Sequence, residues 1–172
     1  MTAIHDPRWQ YITWDVSEEG VVQMMSFEHL KSMSDEWSQL VPKNFEMDEP
    51  SAILRTSRSL FTHSWFDYEF MVVATLISFQ ALESAFRILY PDVKESYPFR
   101  KLVNRARREG DLEPKFADLA DNAVELRNLL SHPRGAAAFT VGMAASALEQ
   151  SHRLVVLILT IAGSKITNID LN

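Results

Sequence analysis

The chain has 172 residues, no cysteine, and a net charge of −6 from 17 basic and 23 acidic side chains. That length fits one folded domain whose core needs no covalent staple. The lack of cysteine excludes disulfides, thiolate nucleophiles, thiolate zinc sites and iron–sulfur clusters, and the acidic balance argues against a general polyanion binder.

The opening residues, MTAIHDPRWQYITWD, lack a basic start followed by an apolar run, so no secretory signal is expected. The longest apolar run, Leu154 to Gly163, is broken by Thr160 and too short to span a bilayer. A cytoplasmic protein that does not enter the membrane is therefore expected. The charge is uneven along the chain. Residues 1–50 hold 3 basic and 10 acidic side chains, whereas residues 98–110 hold 5 basic and 1 acidic.

Arg8 to Met25 is rich in aromatic and β-branched residues, and Ser17-Glu18-Glu19-Gly20 fits a turn, so a small hairpin is expected there. From Ser26 the period changes. Phe27, Leu30, Met33, Trp37, Leu40 and Val41 follow the helical repeat, with Ser26 as N-cap and Pro42 as stop. A helix over 51–63 follows the loop Pro42 to Pro50. Trp65 to Tyr90 then has no Gly or Pro and is apolar on nearly all sides. It predicts a long helix at the centre of a bundle or at a subunit interface, started by a Ser64–Asp67 capping box, ended by Pro91, and able to run on from residues 51–63.

Pro98 suits a helix start, Phe99, Leu102, Val103 and Ala106 form its apolar stripe, and Gly110 ends it. Pro114 to about Ser131 predicts the next helix, with Phe116, Leu119, Ala120, Ala123, Leu126 and Leu130 inward; Pro133 and Gly135 break it. Thr140 to Ala162 predicts the last, with Gly142, Ala144, Ala145 and Ala147 allowing close helix approach. The fold class is all-α: an up-and-down bundle of four to five main helices with a small N-terminal hairpin. Residues 1–50 read as an extension, 51–165 as the bundle, and 166–172 as a tail.

Two segments bear on function. PFRKLVNRARREG, residues 98–110, places Arg100, Lys101, Arg105, Arg107 and Arg108 on one short helix. Such a patch fits a phosphate backbone; it equally fits a solvated face paired with nearby acids. The second is ELRNLLSH, residues 125–132. Asn128 and His132 are four apart and share a face, and the long side chain of Arg127 reaches toward the same end. Histidine exchanges protons near neutral pH, and arginine neutralises charge building on a phosphate. Together they suit RNA cleavage by the adjacent 2′-hydroxyl, with no metal or cofactor. A cation at a helix C-terminus is also favourable through the dipole alone.

ELRNLLSH at the end of a helix resembles the R-x4-6-H signature of the HEPN superfamily (higher eukaryotes and prokaryotes nucleotide-binding domain), with Arg127 and His132 at its two defining positions and Asn128 at the polar position between them. SFQALESAFR at 78–87 and PFRKLVNRARREG resemble the preceding helices of bacterial members, so the likeness covers about residues 51–165. The resemblance implies a helical bundle, homodimerisation and, in many members, metal-independent endoribonuclease activity in toxin or phage-defence settings, under an antitoxin or other regulatory protein. Other members are catalytically silent and bind RNA, a nucleotide or a protein partner. Pro133 and Arg134 stand where some toxin members carry a modified tyrosine, which puts that form of control in doubt. The site expected here is Arg127, Asn128 and His132, supported by Glu83 and Ser131. Arg100, Lys101, Arg105, Arg107, Arg108 and Arg134 are the candidate RNA contacts.

Glu83 and Arg87 are four apart on the long helix, so Glu83 either orients Arg127 or pairs with Arg87. Glu69, in an apolar stretch, would need a partner such as Arg55 or Arg58 if buried. His63 and His152 have no carboxylate at metal-ligand spacing, His5 and His29 read as surface residues, and Trp9, Trp14, Trp37 and Trp65 read as core or interface.

Overall fold

Six α-helices form the bundle in the computed structural model, which describes residues 5–16, 22–46, 48–132 and 139–170. They are α1 (Phe27–Gln39), α2 (Glu49–His63), α3 (Phe70–Leu89), α4 (Phe99–Glu109), α5 (Pro114–Leu130) and α6 (Val141–Asp170). The all-α class expected from the hydrophobic period is the observed one. A short antiparallel ladder precedes the helices, β1 (Thr13–Val16) against β2 (Val22–Met24), with Thr13 opposite Met24 and Val16 opposite Val22. The expected turn at residues 17–20 lies outside the described residues, as do Pro133 and Gly135.

The helix ends follow local chemistry. The Ser26 hydroxyl accepts from the His29 amide at 3.3 Å and caps α1. Pro98 starts α4, and Gly110 ends it at φ 76°, where the Asp111 amide reaches back to the Ala106 carbonyl at 3.0 Å. Phe99, Leu102, Val103 and Ala106 are all buried, so α4 shows the core one clean stripe.

The junction before α3 departs from expectation. Residues 65–69 are not helical and α2 does not run into α3, because Ser64 is spent elsewhere. It caps the C-terminus of α2, its buried hydroxyl donates to the Phe61 carbonyl at 2.6 Å, and its carbonyl accepts from the Trp9 indole at 2.7 Å. No Ser64–Asp67 capping box forms; Asp67 Oδ1 instead accepts from the Glu69 amide at 3.1 Å. The N-terminal segment pins this corner. The Asp6 amide donates to the Trp65 carbonyl, Asp6 Oδ2 accepts from the Tyr68 amide, and His5 stacks on Trp65 at 4.9 Å. Glu69 is exposed and pairs with Arg8 at 2.7 Å rather than with Arg55 or Arg58.

α3 is the central helix and packs chiefly on α2 and α6. Phe79, Leu82, Phe86, Leu102, Leu148 and Ile158 are fully buried in one core. Trp9, Met25, Leu30 and Trp37 belong to that same core, so the described part of the N-terminal extension packs on the bundle. α6 continues past residue 165 to Asp170, through the expected tail, and Lys165 anchors it to Asp111 at 2.6 Å. Ala144 is fully buried, and Gly142, Ser146 and Ala147 line a groove of about 350 Å³ beside Phe79, Leu119 and Leu126. Phe70–Leu89 also has the length and mean hydropathy (1.4) of a bilayer-crossing helix, which a search for unbroken apolar runs misses. Half of that stretch is buried in the bundle.

Candidate functional site

The last turn of α5 carries Arg127 and Asn128. The helix ends cleanly: the Arg127 carbonyl accepts from both the amide and the hydroxyl of Ser131, at 3.0 and 2.8 Å. The His132 amide then closes a final tight turn on the Leu129 carbonyl. These bonds satisfy carbonyls that a helix end leaves open. Ser131 thus shapes the end of the helix through its own hydroxyl.

Glu83, from α3, joins the two sides of the site. Its Oε2 lies 3.1 Å from Arg127 Nη1, and its Oε1 accepts from Arg87 Nη2 at 2.6 Å. Of the two roles open to Glu83 in the sequence, both are filled at once. The Arg127 guanidinium also stands 6.0 Å from the ring centre of Phe99 at the start of α4. The Glu83 side chain is only 17% exposed and that of Arg127 36%, so the ion pair is partly withdrawn from water while one edge stays open. Two guanidiniums on one carboxylate leave a local charge of +1.

Arg87 has a further task. It donates to the carbonyls of Lys94 and Tyr97, at 3.2 and 3.0 Å, and so ties the connection after α3 to the same carboxylate cluster. Tyr97, Phe99, Arg100, Val124, Arg127 and Asn128 line the resulting cleft, whose volume is about 390 Å³. Asn128 is exposed at its wall. His132 is exposed beyond the helix end and lies outside the cleft lining. The fold thus brings Arg127, Asn128 and Glu83 to one cleft and leaves His132 outside its lining, past the end of α5. Among the described residues, its side chain makes no hydrogen bond to Arg127 or Asn128.

The basic helix is largely neutralised. Arg100 pairs with Glu125 at 2.6 Å, and Arg107 with both Asp118 and Asp121 at 2.7 Å. Arg105 pairs with Asp92 and Glu109 and lies over the Tyr90 ring at 4.3 Å. Lys101 and Arg108 are the open cations: Lys101 leans toward the Tyr97 ring at 5.9 Å, and Arg108 is 75% exposed with its nearest carboxylate oxygen at 4.0 Å. The paired-face reading therefore describes Arg100, Arg105 and Arg107, and the phosphate-patch reading keeps Lys101 and Arg108. Arg134 lies outside the described residues.

Two features escaped the sequence. One is the aromatic wall of Tyr97 and Phe99; Phe99 signalled only a core position. The other is a buried polar pair. Arg58 Nη1 is 2.9 Å from His152 Nε2, while His152 Nδ1 is 2.7 Å from the Leu148 carbonyl. The imidazole therefore donates from Nδ1 and accepts at Nε2, which is the neutral form. Burial, with Arg58 beside it, lowers its pKa to about 4 although the Leu148 bond works the other way. His152 also packs beside Trp37 of α1, at 6.1 Å between rings. No group of three or more His, Cys, Asp or Glu fit to hold a metal occurs among the described residues.

Comparison of the chain with protein-family models, curated proteins and solved structures gives no match.

Proposed function

We propose that this chain is a HEPN-like, metal-independent endoribonuclease of the cytoplasm, serving in a toxin or phage-defence setting. The observation that supports this reading best is the 3.1 Å contact of Arg127 with Glu83 at the mouth of the polar cleft, with exposed His132 just beyond the helix end. An unpaired arginine on a helix tip is common. An arginine fixed by a partly buried carboxylate beside an aromatic ring is preorganised, which charge stabilisation on a phosphate requires.

In the proposed step, His132 removes the proton from a ribose 2′-hydroxyl. The 2′-oxygen attacks the adjacent phosphorus, and the 5′-oxygen of the next nucleotide leaves with a proton. The products are a 2′,3′-cyclic phosphate and a free 5′-hydroxyl. Arg127 balances the charge that grows on the phosphate, and Asn128 positions it. One chain supplies one exposed histidine at this place, so the acid for the leaving group comes from His132 of a second copy. An antitoxin or similar regulatory protein would restrain the activity.

The test is a cleavage assay on single-stranded RNA in EDTA. Wild-type protein is expected to cut and leave cyclic phosphate ends. Arg127→Ala and His132→Ala are expected to lower the rate by roughly 10²-fold or more with the fold intact. Normal cutting by both variants would remove this assignment.

The second reading is a catalytically silent module that binds RNA, a nucleotide or a protein. It draws on the neutralised basic helix, where Arg100, Arg105 and Arg107 are already paired with carboxylates. Intact RNA in the same assay, with affinity that depends on Lys101 and Arg108, would favour it.

A further inference from the structure

The groove of about 350 Å³ between α5 and α6 has the buried ring of Phe79 from α3 at its floor. Leu119, Asn122 and Leu126 form its α5 wall, and its α6 wall runs from Gly142 to Leu154. On both helices the lining positions recur every three or four residues, so each turns one continuous face to the groove. Leu119 and Leu126 are half-buried, and Met143 is 41% exposed. None of the lining residues carries a charge.

Gly142 is a second sign that this space is kept open. It stands in the first turn of α6 with an ordinary backbone, since Gly110 has the one positive φ among the described residues. A Cβ at Gly142 would meet no atom within 4 Å. Glycine is a poor helix former, so neither backbone geometry nor packing among the described residues accounts for it. An open groove does.

Size and polarity select the occupant. Gly142 to Leu154 spans about 18 Å at 1.5 Å per residue. A volume of about 350 Å³ over that length gives a mean section of about 20 Å². An α-helix with its side chains, about 10 Å across, needs about 80 Å². The groove therefore admits one aliphatic chain and no helix. An extended peptide would bring an amide and a carbonyl per residue, each needing a partner, and the polar lining is already engaged. Gln150 Nε2 donates to Ser146 Oγ at 3.0 Å. The Ser78 hydroxyl donates to the Thr75 carbonyl at 2.8 Å, so Ser151 is the donor in its 3.1 Å bond with Ser78. Of the four polar lining residues, Asn122 alone has no side-chain hydrogen bond among the described residues.

We infer that this groove binds a free, uncharged aliphatic molecule with one hydroxyl or carbonyl group, its chain against Phe79 and Leu126 and its polar group on the Asn122 amide. A charged end would lose water and gain no counter-ion there. The groove shares no lining residue with the polar cleft, so the site stands whether or not the chain cuts RNA.

Methyl NMR of the full chain, titrated with 1-octanol to 2 mM, tests the inference. Saturable shifts of the Leu119, Leu126 and Met143 methyl signals are expected, with a Kd on the order of 0.1 mM. Octanoate should bind at least about tenfold more weakly, because its carboxylate finds no cation in the lining. Asn122→Ala should raise the octanol Kd about fivefold, the loss of one neutral hydrogen bond. Gly142→Leu and Ala147→Leu should each fill the groove and weaken binding at least about tenfold. Gly142→Leu should unfold at no lower temperature than wild type. No saturable shift at 2 mM overturns the inference, as does a Kd unchanged by both leucines. Octanoate binding as tight as that of octanol overturns the uncharged class. Cosedimentation with phosphatidylcholine vesicles that both leucines abolish would give the groove to a membrane lipid and overturn the free ligand.

Discussion

Glu83 on α3 holds Arg87 of its own helix at 2.6 Å and Arg127 of α5 at 3.1 Å, using a different oxygen for each. One carboxylate therefore fixes a local helical pair and a long-range contact together, and through Arg87 it also fixes the connection that forms the cleft wall.

Removing that charge leaves two guanidiniums close together with no carboxylate to neutralise them. Glu83→Gln should destabilise the fold by about 1–3 kcal/mol, seen as a lower midpoint in urea. Arg87→Ala should cost less but loosen residues 91–98, measured as faster amide exchange there than in α2. An unchanged urea midpoint in Glu83→Gln would show that the carboxylate is not the joint described.

His152 predicts a specific pH dependence. Its folded pKa is about 4, below the ordinary 6.5, so the unfolded chain binds more protons between those values. Stability contributed by the neutral imidazole is complete above pH 6.5 and falls as the pH drops toward 4. The loss is on the order of 3 kcal/mol. Urea titrations at pH 7, 5.5 and 4.5 measure it. His152→Gln, which can still accept from Arg58, should flatten that slope relative to wild type. A wild-type slope equal to that of the variant would contradict the assignment.

On α4 the open cations, not the paired ones, should govern RNA affinity. Lys101→Ala and Arg108→Ala should each reduce the salt dependence of binding by about one unit of slope. Arg107→Ala should change it much less, since Asp118 and Asp121 already neutralise that side chain. Filter binding at several salt concentrations would distinguish them, and a larger effect at Arg107 would reverse this ranking.

The N-terminal segment should behave as part of the fold. Trp9 is 1% exposed and its indole donates to the Ser64 carbonyl at the corner between α2 and α3. Trp9→Ala should cost about 3–5 kcal/mol, measured by thermal or urea unfolding. A cost under about 1 kcal/mol would mark residues 5–12 as a separable strap.

The helices themselves were legible because their signals are local. Ser26, Pro98 and Gly110 act on backbone groups within a few residues, and the stripe of α4 is a matter of period alone. The same local logic failed at Ser64. A serine three residues before an aspartate suits a capping box, yet its carbonyl receives the Trp9 indole from a distant part of the chain, and α3 starts later. Leu154 to Gly163 is the longest apolar run of the sequence, yet α3, whose few polar residues are dispersed, is the helix with the length and mean hydropathy of a bilayer-crossing one.

The site divides in the same way. ELRNLLSH placed Arg127, Asn128 and His132 at the end of one helix, since spacing along a helix fixes which residues share its end. The sequence alone also determined an all-α chain that can use neither thiolates nor disulfides. Tertiary structure decided which cations stay open: Arg107 and Lys101 look alike in a run of basic residues, and only the packing of α4 against α5 brings Asp118 and Asp121 to one of them. It likewise decided that Glu83 serves Arg87 and Arg127 together, and that Arg58 meets His152. Apart from the Glu83–Arg87 pair, these contacts join residues on different helices. Each depends on how whole helices pack, and no spacing within a single helix encodes that packing.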